Sequence, residues 1–551
     1  MVNKKNFLFF LCGVFVLFSY NILVEKTSFN TEDVFSAQKI FGIKFSKKEI
    51  DTLTPYLKRN LDAYKKMREF SLDMSVEPIN DFEIKFIPSV LNNKETRFVL
   101  EKTNLPKQKK DIAYLPIYKL AYLIKNKLLS SEELTRIYLN RLKKYDKKLK
   151  AIITLTENLA IKQAKKADEE IAKGKYRGPL HGIPYGIKDL AAHPDFPTTW
   201  GAAPYKNQHI NKKATVIKKL EDAGAVMLVK LSSGALARGD VWYGGKTKNP
   251  WNLNEGSSGS SAGSASATAA GLVGFSIGTE TWGSIISPST KCGVLGLRPT
   301  YGLISRFGFM SLSWSMDKVG PICRSAKGCV LVLKQIKGKD GLDQSVENAP
   351  LLFEDVGSLK KYKIGYLKRL FEKDTTNNGV NNTETLKLIK KLGGTLIPVS
   401  LPTNYPFDVF DIILRSEAGA FFNELIIERK DSILTEQSKR SRANSLRQSR
   451  FIPAVEYIQA NRFRARLIED VTSVFETFDI IISPTFGGHQ MLTTNLTGHP
   501  ALSIPNGFDK DNSPTSITII GNYFEEGKLL SVAHLLQKES NYHNRKPPRF
   551  Y

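Results

Sequence analysis

Residues 259–299 read GSSAGSASATAAGLVGFSIGTETWGSIISPSTKCGVLGLRP, and small side chains crowd around two serines in it, Ser260 and Ser284. Gly, Ala and Ser leave room for an incoming group, and Gly-rich turns aim several backbone N–H donors at one point, as a developing oxyanion requires. The same composition describes a flexible linker. Against that, the run passes without a break into apolar, strand-like residues 272–277 and 294–297. Linkers do not alternate with core, so the segment reads as part of a folded α/β domain in which backbone approaches a ligand.

Upstream, residues 178–190 read GPLHGIPYGIKDL, which sets Lys188 among Pro, Gly and Ile. A solvated surface lysine is the ordinary reading in a chain with 80 Lys and Arg. Held among apolar groups, however, the ammonium form is disfavoured, and the neutral amine can take a proton from a serine. Gly259-Ser260-Ser261-Ala262-Gly263 also spells the nucleophile elbow G-x-S-x-G, with His489, His499 and His534 downstream as bases. An elbow follows a strand, whereas residues 248–256 read KNPWNLNEG, broken by Pro and Asn. His181, His489 and His499 sit beside Gly or Pro without HExxH spacing, so they read as structural or pocket-lining, and no metal is expected.

Taken together, these residues resemble the amidase signature family, whose hallmark is a Ser-cisSer-Lys triad. The resemblance runs from about Ile112 through SSEELTRIYLNRL (130–142), GPLHGIPYGIKDL, GAVMLVKLSSGALA (224–237) and the Gly/Ser-rich segment to DIIISPT (479–485) and GHPALSIPNGF (498–508). It implies an α/β fold, a mixed β-sheet core covered by helices on both faces. It also implies Lys188 as terminal base, Ser260 as the serine with the cis peptide and Ser284 as nucleophile, with the backbone amides of Thr281, Trp282, Gly283 and Ser284 as the oxyanion hole. The implied activity is hydrolysis of a small or medium acyl or peptide-type amide through an acyl-enzyme, without cofactor. Three positions depart from the family pattern: Glu280 replaces its usual Asp, Trp282 a Gly, and Ile286 the Arg that commonly follows the nucleophile. Trp282 is expected to narrow the acyl side, and the loss of that Arg removes a partner for a carboxylate. Specificity is expected from residues 196–207, Trp282 and residues 411–448.

At 551 residues and 41% hydrophobic content, the chain has ample material for one large domain behind an N-terminal extension. Residues 130–145 read as a helix, with Ser130-x-x-Glu133 as a capping box and Leu134, Ile137, Tyr138, Leu142 and Tyr145 at helical spacing. Strands read at 151–155, 225–229, 363–366, 395–399 and 479–482. In residues 25–107, an N-terminal helical extension, the stretch 47–69 repeats Ile50, Leu53, Leu57, Leu61 and Tyr64 as one apolar side, expected to pack on the catalytic domain at 108–551.

Residues 1–24 form a third part. Lys4 and Lys5 precede an apolar run from 7 to 24 that reads as a signal peptide or membrane anchor, with export and possible membrane association as the expectation. Cys12 lacks the small residues before it that a lipid-modified cysteine needs, and Cys292, Cys323 and Cys329 read as buried apolar residues. The balance of 80 basic against 54 acidic residues, net +26, raises a competing class, a basic surface-associated binding protein. Its clusters at 107–110, 143–150 and 439–450 lie in ordinary helix sequence with no nucleic-acid-binding signature, so no nucleic-acid partner is expected. An amidotransferase-like subunit is the other alternative, disfavoured because an exported chain does not meet charged tRNA.

Overall fold

A computed structural model describes residues 29–79, 98–374 and 378–551. The run at 7–24 lies outside the described residues, and among those no helix is long and apolar enough to cross a membrane. The chain falls into two compact units, Met1–Glu69 and Phe70–Tyr551. In the first, Ser46 caps the helix Lys47–Arg68 in a reciprocal capping box with Glu49. Its stripe of Ile50, Leu53, Leu57 and Tyr64 is buried. Residues 70–107, read with the extension from sequence, belong to the larger unit. Arg462 donates to the carbonyls of Asp73 and Val76, both at 2.7 Å, and Phe70 packs edge-on to Phe463.

In the larger unit the described residues form one sheet of eleven strands. In spatial order these are Ile152–Leu155, Val226–Leu231, Pro184–Lys188, Phe275–Glu280, Lys318–Cys323, Leu295–Arg298, Ala501–Phe508, Pro514–Gly521, Ile480–Pro484, Lys363–Tyr366 and Thr395–Pro398. The sheet is mixed and flanked by helices. Pro184–Lys188 runs parallel to both of its neighbours, whereas Phe275–Glu280 pairs antiparallel with Lys318–Cys323. Strands covered on both faces need apolar residues on both sides, which is why Tyr185, Ile187, Phe275 and Ile277 are all fully buried. Each such side chain contributes roughly 1.5–3 kcal/mol on burial.

The five strands read from sequence all form, within two residues of the expected ends. The helix read at 130–145 extends over Ser131–Leu149. Ser130 Oγ accepts the Glu133 N–H at 3.0 Å, but only this half of the expected capping box is made. The Glu132 and Ser131 amides instead donate to the Asp168 carboxylate at 2.9 and 2.7 Å. Cys292, Cys323 and Cys329 are buried free thiols.

Candidate active site

Lys188 ends its strand one residue past Ile187, which pairs with Ile277 on the adjacent parallel strand. Both strands point their carboxyl ends the same way, the usual place for a site in an open α/β sheet. Lys188 thereby lies level with Thr279, and Phe275–Glu280 delivers the turn 281–284 beside it. The strand Phe275–Glu280 is preceded by the buried helix Ala262–Ala269, whose leading residues carry Ser260 and Ser261. The Gly259–Ser260 peptide is cis. A side chain at Gly259 would strike the Gly239 carbonyl, so only glycine allows this approach.

The buried Lys188 Nζ donates to Ser260 Oγ and to Thr279 Oγ1, each at 2.8 Å. Burial of the ammonium group brings the Lys188 pKa down from 10.5 to about 7; Asp317 and Glu280 oppose that shift and Arg442 adds to it. The amine is therefore poised near neutrality, where a general base works best. Ser284 is half-buried, and its carbonyl accepts the Ser261 N–H at 3.1 Å, which ties the two serine segments together. Gly283 has φ +86°, and an added Cβ would lie 2.6 Å from Met491 Sδ, so the turn depends on glycine here.

Glu280 holds that turn. Its buried carboxylate accepts the N–H groups of Ile285 and Ile286 at 2.7 and 2.9 Å, Arg298 Nη1 at 3.0 Å and Asn495 Nδ2 at 2.9 Å. Burial alone raises its pKa, but Arg298, the two amides and Asn495 outweigh it and keep the group ionised. On the other side Thr281 donates its hydroxyl to Asp317, which also accepts the amides of Leu312 and Ser313.

A cavity of about 310 Å³ opens onto Ser284. Its walls include Thr281, Trp282, Leu312, Leu414, Arg415 and Arg442. Trp282 keeps 36% of its surface exposed at the rim. Of the segments expected to set specificity, 411–448 and Trp282 line this space. Residues 196–207 instead stand behind it, with Trp200 packed on Phe421 and Phe422 at ring distances of 5.8 and 5.9 Å. The basic run 439–450 is not the solvated face its composition suggested: Arg442 and Arg447 are buried, Arg447 paired with Asp431. The histidines take packing roles, His499 stacked between Phe475 and Tyr523 and His489 on Phe407. Among the described residues no group of three or more His, Cys, Asp or Glu is placed to hold a metal ion.

Sequence reasoning missed Thr279, Asp317 and Arg442. Thr279 sits inside a strand pattern and Asp317 in an unremarkable loop, so neither gave a signal. Arg442 was hidden among neighbouring cations.

Fold and site define the class, an α/β enzyme that cleaves carbon–nitrogen amide bonds. The sequence model of the family described as Amidase matches residues 133–491. The glutamyl-tRNA(Gln) amidotransferase GatA-type chain of Pseudomonas syringae pv. tomato is 34% identical over 477 residues, covering 77% of this chain and 97% of that relative. The crystal structure of peptide amidase from Stenotrophomonas maltophilia superposes with a TM-score of 0.72 at 27% identity, covering 80% of this chain and 99% of that one. The corresponding glutamyl-tRNA(Gln) amidotransferase chain of Thermotoga maritima superposes with a TM-score of 0.65 at 26% identity, covering 79% and 96%. The chain belongs to the amidase family.

Proposed function

We propose that this chain is a self-sufficient amide hydrolase acting on a small amide through Ser284, Ser260 and Lys188. Ser284 Oγ attacks the carbonyl carbon while its proton passes to Ser260 Oγ, which gives its own proton to the neutral amine of Lys188. The amides of residues 281–284 stabilise the oxyanion. Lys188 then returns a proton through Ser260 to the leaving nitrogen, and water hydrolyses the acyl-enzyme. The observation that carries this reading is the buried Lys188 Nζ at 2.8 Å from Ser260 Oγ, with its pKa near 7. The test is to treat purified protein with a fluorophosphonate, map the modified residue, and assay release of ammonia or amine from simple amides. Labelling at Ser284 together with turnover is the expected result; labelling elsewhere removes the nucleophile assignment.

A second reading, an amidotransferase-like subunit, draws on the 34% identity to the Pseudomonas protein. The two separate on one measurement, since a self-sufficient hydrolase releases ammonia from an amide with no partner protein added. For location, we propose export directed by residues 4–24, with two lysines before the apolar run.

A further inference from the structure

Of the nitrogens of Arg442, two are spent on backbone. Nε donates to the Leu236 carbonyl at 3.0 Å and Nη2 to that of Ala237 at 3.1 Å. The third, Nη1, is buried without a hydrogen-bond acceptor among the described residues. The side chain is 5% exposed, and no described carboxylate forms an ion pair with it. Its neighbour Arg415 differs in this respect: it lines the same cavity but pairs with Asp411 and donates to Gln448 Oε1 at 2.8 Å. An unpaired buried guanidinium is expensive, because desolvation is not repaid by a counter-charge. Bracing the 236–237 backbone accounts for two of its nitrogens and leaves both Nη1 and the charge unexplained.

Arg442 lines the cavity that opens onto Ser284, together with Arg238 and the apolar walls Trp282, Leu312 and Leu414. At about 310 Å³ the space suits a ligand at the small end of the usual range. Resting on the amidase reading above, we infer that the substrate is a small amide bearing a carboxylate, which Arg442 Nη1 binds, with the apolar walls against the carbon chain. The positive charge expected from an arginine just after the nucleophile, where Ile286 stands, is supplied here from the helix Arg442–Ser449.

Two substrate pairs distinguish a carboxylate on the acyl part from one on the leaving amine: succinamate against pentanamide, and N-acetylglycine against N-propylacetamide. Within at least one pair the anion is expected to have a kcat/KM about 10- to 100-fold higher, the range of a charge-assisted hydrogen bond. Arg442→Met removes that preference and Arg442→Lys restores part of it. Arg442→Met also loses two backbone contacts, so a wild-type measurement stands beside it: succinate should slow fluorophosphonate labelling of Ser284, and succinamide at equal concentration should not. Equal kcat/KM within both pairs, or a preference that survives in folded Arg442→Met, overturns the anion site. Amide turnover without charge preference sinks this inference alone. Absence of any turnover with succinate protection intact sinks the hydrolase reading and supports the anion site.

Discussion

Lys188 departs from ordinary lysine behaviour more usefully than any other residue near the cavity. Its folded pKa lies below the value of a free lysine because burial penalises the ammonium form. Below about pH 7 the group is protonated and cannot accept the Ser260 proton; above it the amine is free. The ratio kcat/KM is therefore expected to fall by about tenfold per unit as pH drops below about 7, with a flat region above. A pH profile that stays level down to pH 5 contradicts the lysine base. Substitution gives the complementary test. Ser284→Ala and Lys188→Ala should each lower kcat by a factor on the order of 10⁴ or more, and the double variant should be little worse, because members of one relay lose function together. Wild-type turnover by Lys188→Ala near neutral pH would return attention to a histidine-based site.

At the scale of elements, the strand that carries the base is braced from behind. Asp189, the next residue, forms a fully buried ion pair with Lys230 of the neighbouring strand at 2.7 Å, and Lys230 also donates to Pro197 O and Thr198 Oγ1. Lys230→Met leaves Asp189 charged and alone, which should cost about 3–5 kcal/mol, while Asp189→Asn with Lys230→Met should cost less. Denaturant titration of both variants decides this; equal costs would mean that the pair has no coupling. These elements differ in how well sequence announces them. Runs such as residues 479–482 or 225–229 read as strands because apolar residues are contiguous. Lys318–Cys323 did not, since it opens on a buried lysine and contains a proline. Helix Arg442–Ser449 was illegible for a related reason: its cations are buried, which composition cannot reveal. The triad was legible because its residues sit in two short, glycine-marked segments. Arg442 reaches the same cavity only through the tertiary fold.

For the whole molecule, the larger unit Phe70–Tyr551 holds every residue of the relay and the cavity. A chain beginning at residue 25 is accordingly expected to retain the kcat/KM of the full chain, whereas only the full chain should leave the cytoplasm when expressed. Fractionation and sequencing of the mature N-terminus check both, and full-length protein confined to the cytosol would reverse the export proposal. The sheet has one more consequence. Lys188 and Ser260 are 72 residues apart in sequence yet hydrogen-bonded, and what fixes their distance is strand register rather than the chain between them. Within that interval residues 206–212 are mostly exposed. A protease site placed at Asn211–Lys212 and cut after folding should leave two fragments that stay together and keep turning over substrate. If cutting there abolishes activity while the fragments still co-purify, an unbroken peptide is needed where we expect hydrogen-bonded neighbours to suffice.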